Sequence, residues 1–153
     1  MDRQNLTLLT DLYELTMMQG YFKNKEENRT VIFDAFYRTN PFGGGYAIMA
    51  GVEQLVEYLQ NLQFTTEDIL YLKSKGCFCE EFLDYLRNFK FACDVWAVPE
   101  GAPIFPGEPI VTVKGPVMQA QFVETMILLT INHQSLIATK ASRMVRAAGG
   151  RPI

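Results

Sequence analysis

The sequence predicts a mixed α/β fold, and three observations carry that prediction. Apolar residues recur at helical spacing in several short stretches, one stretch alternates strictly, and a run punctuated by proline and glycine leads into a long apolar-faced helix. With 153 residues, 48% of them apolar, the chain can build one main unit with a real core.

Leu8, Leu9, Leu12, Leu15 and Met18 predict a first helix from about Thr10 to Gly20. Asp11 and Glu14 lie where an opening turn favours negative charge, and Gly20 is the expected stop. From Thr30 to Arg38, Val31, Phe33, Ala35 and Tyr37 alternate with Ile32, Asp34, Phe36 and Arg38, which predicts a strand with apolar residues on both faces, mostly buried. Asn40-Pro41-Phe42-Gly43-Gly44-Gly45 breaks regular structure, and Val52, Leu55, Val56 and Leu59 resume a helix over 52–62. Two shorter helices follow, one opened by Thr65-Thr66-Glu67-Asp68 and one over about 80–88.

From Asp94 onward, Pro99, Gly101, Pro103, Pro106, Gly107 and Pro109 predict short strands with tight turns. Pro116 stands at the mouth of the next helix, where a missing N–H is harmless. Residues 117–148 then read as one helix of about 30 residues, stopped by Gly149-Gly150. Val117, Ala120, Val123, Ile127, Leu128, Ile131, Leu136, Ile137 and Ala141 make it apolar around much of its girth, so cover on several sides is expected. The chain stops at Arg151-Pro152-Ile153, and the expectation is that this helix packs against structure beyond it.

Charge and cysteine content exclude several classes. The 14 Lys+Arg and 17 Asp+Glu give a net charge of -3 without a basic stripe, so neither nucleic acid nor an anionic membrane is an expected partner. No apolar run reaches the ~18 residues of a membrane span. Met1-Asp2-Arg3-Gln4-Asn5 lacks the regions of a secretory signal, and a cytoplasmic location is expected. Cys77, Cys79 and Cys93 are an odd number for disulfides. Cys77-x-Cys79 has no second ligand pair and one distant histidine, His133, so free thiols at a helix junction are expected instead of a metal site.

Five motifs in order extend over nearly the whole chain: Leu8-Leu9-Thr10-Asp11-Leu12-Tyr13-Glu14-Leu15-Thr16-Met17; Asn40-Pro41-Phe42-Gly43-Gly44-Gly45-Tyr46-Ala47-Ile48; Pro99-Glu100-Gly101 with Phe105-Pro106-Gly107-Glu108-Pro109; Gly115-Pro116; and Glu124 through Ile131-Asn132-His133-Gln134-Ser135-Leu136-Ile137-Ala138-Thr139-Lys140. Together they resemble the amino-terminal portion of the nicotinate phosphoribosyltransferase family, the type II phosphoribosyltransferases. The resemblance implies an α+β amino-terminal domain over 1–116, and over 117–153 the long helix and the start of a truncated α/β barrel, with Arg151-Pro152-Ile153 entering the barrel's first strand.

The resemblance also implies the chemistry. The family transfers ribose 5-phosphate from phosphoribosyl pyrophosphate to the ring nitrogen of nicotinate, commonly with magnesium (Mg2+), and couples ATP hydrolysis through a phosphorylated histidine. That histidine lies in the family's barrel, beyond Ile153, and leaves no such role for His133. Neither magnesium nor ATP is expected on this segment alone. A homodimer is implied, with the site spanning two subunits.

Within the motif Thr10-Asp11-Leu12-Tyr13, the resemblance makes Tyr13 the substrate-binding residue, its ring stacked on nicotinate bound in the partner subunit. A phenol suits this, with a flat apolar face and a polar edge; without the resemblance Tyr13 reads as an ordinary residue of an amphipathic helix. Asp11 has two readings, a catalytic carboxylate near the phosphoribosyl or magnesium end, or an N-cap that forms a capping-box-like pair with Glu14. Gly43-Gly44-Gly45 lacks the pattern of a phosphate loop, and a tight turn near a subunit interface is expected. Arg38 and Lys140 are expected to be solvated, and His133 to be a hydrogen-bonded packing residue.

Three rival functions remain. A sibling phosphoribosyltransferase would act on nicotinamide or quinolinate. A biotinyl or lipoyl carrier would use the turn-rich segment 99–111, although Lys114 lacks the neighbours of a modified lysine. An assembly module would have no activity alone.

Overall fold

The computed structural model describes residues 5–152, so Met1–Gln4 and Ile153, on which the leader and barrel-entry readings partly fall, lie outside the described residues. The fold is mixed α/β, as expected. The element order is α1 (Leu12–Lys23), β1 (Thr30–Phe36), a 3-10 turn (Pro41–Gly43), β2 (Ala47–Ile48), α2 (Val52–Gln60), α3 (Thr66–Ser74), α4 (Glu80–Arg87), β3 (Asp94–Ala97), β4 (Pro103–Ile104), β5 (Pro109–Pro116), α5 (Val117–Phe122) and α6 (Glu124–Ala148).

Gly20 does not stop α1, which runs on to Lys23. The stop is Asn24, whose amide and side chain both donate to the Gly20 carbonyl, at 3.1 and 3.0 Å, followed by Lys25 in the left-handed region at φ 57. A solvated glycine weakens a helix by only about 1 kcal/mol, too little to end one whose next turn still packs.

β5 is the middle strand of a three-stranded antiparallel sheet, β1-β5-β3. Phe33 pairs with Val113, and Val113 with Val95; Ile32 pairs with Lys114, and Lys114 with Asp94. Strict alternation therefore sends Val31, Phe33, Ala35, Val111, Val113 and Val95 to the core side and Ile32, Asp34, Phe36, Thr112 and Trp96 to the other. β1 pairs only with β5 and is an edge strand, and among the described residues no element covers that other face, so Ile32 and Phe36 of β1 and Trp96 of β3 are exposed and β1 is not the buried strand its apolar content suggests. Thr112 Oγ1 donates to Asp34 Oδ1 across this face at 2.5 Å. Where β5 passes Cys93 only glycine fits, since a Cβ on Gly115 would lie 2.5 Å from Cys93 Sγ and 2.9 Å from Cys93 Cα.

The helices pack by their apolar stripes around one core. Phe64, Phe82, Phe89 and Phe122 are buried in it, with ring centroids 5.4 Å apart for Phe64 and Phe122 and 6.0 Å for Phe89 and Phe122. Such pairs contribute about 0.5–1.5 kcal/mol each beyond their burial. α3 opens on a capping box from Thr65 to Asp68, as its sequence predicts. α2 has no local cap; the distant Glu100 carboxylate accepts from the amides of Gly51 and Glu53, at 2.8 and 3.2 Å. Gly51, at φ 101, lets α2 approach α6, since a Cβ would sit 3.0 Å from the Thr130 carbonyl.

The expected single helix over 117–148 is two helices, α5 and α6, parted at Val123 (φ -85, ψ 0). Beyond the break, Ser135 and Thr139 hold β2: the amides of Ala50 and Ile48 donate to their hydroxyls at 3.1 and 2.8 Å. Gly149 and Gly150, both at positive φ, end α6 as expected.

Candidate functional site

The break at Val123 and the start of α1 are parts of one arrangement. In an unbroken helix the Thr125 amide would donate to the carbonyl four residues back. Here it donates to Glu14 Oε1 at 3.1 Å, and Thr125 Oγ1 donates to the same oxygen at 2.8 Å. Thr10 Oγ1 donates to Glu14 Oε2. Glu14 is fully buried, with 0% exposure, and its carboxylate meets the positive end of α6. Burial holds its carboxyl above the usual carboxylate value, outweighing the hydrogen bonds from Thr10 and Thr125, which act the other way.

The capping-box-like pairing of Asp11 with Glu14 is therefore not formed. Asp11 is the N-cap of α1 by backbone conformation but makes no side-chain cap bond, because the Glu14 carboxylate is turned toward α6. Asp11 is exposed, and its Oδ2 accepts from Thr125 Oγ1 at 3.3 Å.

Tyr13 faces outward, 46% exposed, beside exposed Leu12 and Met17. Partial burial, followed by the nearby carboxylates of Glu124, Glu14 and Asp11, holds its phenol above the usual value. Tyr13 and Glu14, neighbours on α1, thus lie beside Glu124 and Thr125, neighbours at the start of α6. Leu15, Met18 and Gln19 are buried on the opposite side of α1, where Gln19 accepts from the Cys79 amide at 2.7 Å and donates to the Cys77 carbonyl at 2.9 Å.

Other candidates lie elsewhere. The glycine loop folds against the far end of α6: Phe42 (φ 58) and Gly43 (φ 64) are left-handed, and Arg143 donates to the carbonyls of Pro41 and Phe42 at 3.3 and 3.5 Å. A Cβ on Gly44 would run into that guanidinium. Arg146 donates to the Tyr46 hydroxyl at 3.4 Å, and this bond lowers the Tyr46 phenol. Arg38 and Lys140 are exposed, as expected. His133 is exposed too, on the surface of α6 and not packed between its apolar neighbours. The cysteines are free thiols, Cys77 and Cys79 at the α3–α4 junction.

Among the described residues no group of three or more His, Cys, Asp and Glu side chains could hold a metal ion. The buried Glu14 carboxylate already accepts from Thr10 and Thr125. Lys114 lies within β5, paired between Ile32 and Asp94, so the hairpin lysine of a carrier domain is missing.

Sequence reasoning missed Glu14, Glu124 and Thr125 as a unit. Helical spacing marks Glu14 as one more polar residue on α1, and no local signal reveals that its partner lies 111 residues on.

Residues 8–132 match the model of the nicotinate phosphoribosyltransferase N-terminal domain. The chain is 45% identical over 146 residues to a nicotinate phosphoribosyltransferase of Mycobacterium tuberculosis, which covers 95% of this chain and 31% of that protein. It is 40% identical over 145 residues to the Bacillus subtilis enzyme of the same name, covering 95% and 30% respectively. The crystal structure of human nicotinic acid phosphoribosyltransferase superposes with a TM-score of 0.87 at 35% identity, over 95% of this chain and 30% of that one. The chain thus spans about a third of the length of these relatives.

Proposed function

Since the chain belongs to the nicotinate phosphoribosyltransferase family, as its amino-terminal domain, we propose that it serves an enzyme that makes nicotinate mononucleotide from nicotinate and phosphoribosyl pyrophosphate, for NAD synthesis. The ring nitrogen of nicotinate attacks the anomeric carbon of the ribose as the bond to pyrophosphate breaks, and the nucleotide and pyrophosphate leave. Coupled ATP hydrolysis and magnesium belong to the same proposal, and no described residue is assigned to either. When bound, magnesium would neutralise the departing pyrophosphate.

What this segment contributes is an aromatic surface. One observation carries the reading: in the motif Thr10-Asp11-Leu12-Tyr13, the Tyr13 ring is presented outward, beside exposed Leu12 and Met17. A weak ring nucleophile gains most from being held at the right angle and distance, and a flat apolar face does this for an electron-poor ring.

Homodimerisation, with Tyr13 reaching the partner subunit's base, is supported by the uncovered apolar stripe of Leu12, Tyr13 and Met17. A following barrel is supported by exposed Leu128, Ile137, Met144 and Val145 on α6. Buried Gln121, whose amide atoms have no partner, also favours it; it lines a cleft of about 220 Å3 with Phe33, Val113 and Ile127. A cytoplasmic setting accords with three free thiols, and no described helix is long and apolar enough to cross a membrane.

The test is Tyr13→Ala in a protein of the relatives' full length. Losing a stacked ring is worth roughly 1 kcal/mol, about fivefold in the KM for nicotinate, with the unfolding midpoint unchanged. Unchanged kinetics would retire the role of Tyr13. Assays with nicotinamide and quinolinate decide the base, and synthesis by the 153-residue chain alone would show that the segment needs no further structure.

A further inference from the structure

The Glu14 carboxylate is fully buried, where a leucine would pack at lower cost than a charge. The burial of Leu15 and Met18 turns the correct side of α1 inward, but apolar contact is non-directional; Gln19 ties the later turns of α1 to the α3–α4 junction, which leaves the first turn, where Tyr13 sits, to Glu14. Hydrogen bonds are directional. Glu14 accepts from the amide and hydroxyl of Thr125 and from Thr10, which fastens α1 to the first turn of α6 in rotation and in translation. Tyr13 is the next residue along α1 and is 46% exposed, so the roll that Glu14 sets is also the roll of the Tyr13 ring.

We infer that Glu14 is a positioning residue for base binding: by gripping Thr125 it fixes the roll of α1 and so the plane in which Tyr13 offers its ring. Glu14 touches no substrate and acts only through Tyr13. The inference rests on the stacking role proposed above for Tyr13.

The experiment is a double-mutant cycle in a protein of the relatives' full length, with steady-state kinetics for both substrates. Glu14→Ala is expected to raise the KM for nicotinate about three- to tenfold, the range an aromatic contact commands. The KM for phosphoribosyl pyrophosphate should stay within about twofold, because the Tyr13 ring through which Glu14 acts is proposed to meet the base alone. Adding Glu14→Ala to Tyr13→Ala should produce no further rise, since the group through which Glu14 acts is gone. Glu14→Gln keeps the volume and one acceptor, and should give an intermediate KM even if the alanine variant does not fold. Additive effects of the two substitutions would overturn the inference, as would an unchanged nicotinate KM in Glu14→Gln alongside a lowered unfolding midpoint. If Tyr13→Ala leaves the KM unmoved, the stacking role falls and this inference with it. If Tyr13→Ala raises the KM and the Glu14 variants do not, the positioning role alone fails.

Discussion

The two ends of α6 obey one electrostatic rule and reach opposite mechanical results. At its start, where unpaired amides make the helix positive, the carboxylate of Glu14 is buried and accepts at 2.8 and 3.1 Å. Toward its far end, where carbonyls make it negative, half-buried Arg143 and exposed Arg146 reach across to the glycine loop at 3.3 to 3.5 Å. Burial of the acceptor makes the first end a stiff joint, because a released Glu14 carboxylate would have no water to turn to. Partial solvation makes the second end a softer latch, because water can replace a bond as it breaks.

Breaking the joint should have the largest effect. Glu14→Ala is expected to lower stability by about 1–3 kcal/mol, the range for stranding buried donors, measured by denaturant unfolding. A loss no larger than that of an exposed glutamate would erase the contrast between the two ends.

Titrating the joint should have a smaller effect of definite sign. Burial raises the Glu14 carboxyl above its ordinary 4.5, with Glu124 adding to the rise and Tyr58 also facing it. The folded chain therefore takes up this proton at higher pH than the unfolded chain does. Its contribution to stability is complete below the unfolded value and is lost as pH rises through the folded one. As the pH falls from neutrality toward the ordinary glutamate value of 4.5, wild type should gain on Glu14→Gln. Melting curves of the two proteins across that interval check the sign.

Releasing the latch should have the smallest effect. Arg143→Ala is expected to cost under about 0.5 kcal/mol, within the usual range for surface substitutions. Its signature is faster amide exchange over residues 42–46, with the amides of α6 near Thr125 unchanged.

The same contrast explains what could be read from the sequence. Most local signals held: the helix opened at Thr65–Asp68, the glycine pair after α6 and the turns of 99–109 all depend on residues a few positions apart, while the Gly20 stop and the Asp11–Glu14 pair did not form. Failures came where a distant partner decides. The chain breaks at Val123 because Thr125 finds Glu14, and periodicity over 117–148 has no means of registering that. β1 appeared buried because Ile32 and Phe36 are apolar, yet nothing among the described residues covers its outer face. Of the site, the motif around Tyr13 was legible and its setting was not. Thr125 stands 111 positions from the Glu14 carboxylate it binds.

The tight passage of β5 over Cys93 also bears on how the molecule can be handled. With Gly115 pressed against it, that thiol is half-buried and pushed up to about 11, by burial first and by Asp94 second. At neutral pH only about one in ten thousand such sulfurs is ionised, and thiolate is the form that attacks an electrophile. Cys77 lies in the open on the far side of the α3–α4 junction. A maleimide dye should therefore react first at Cys77, with half-buried Cys79 second, and leave Cys93 beside the sheet untouched, giving this domain an intrinsic handle for fluorescence.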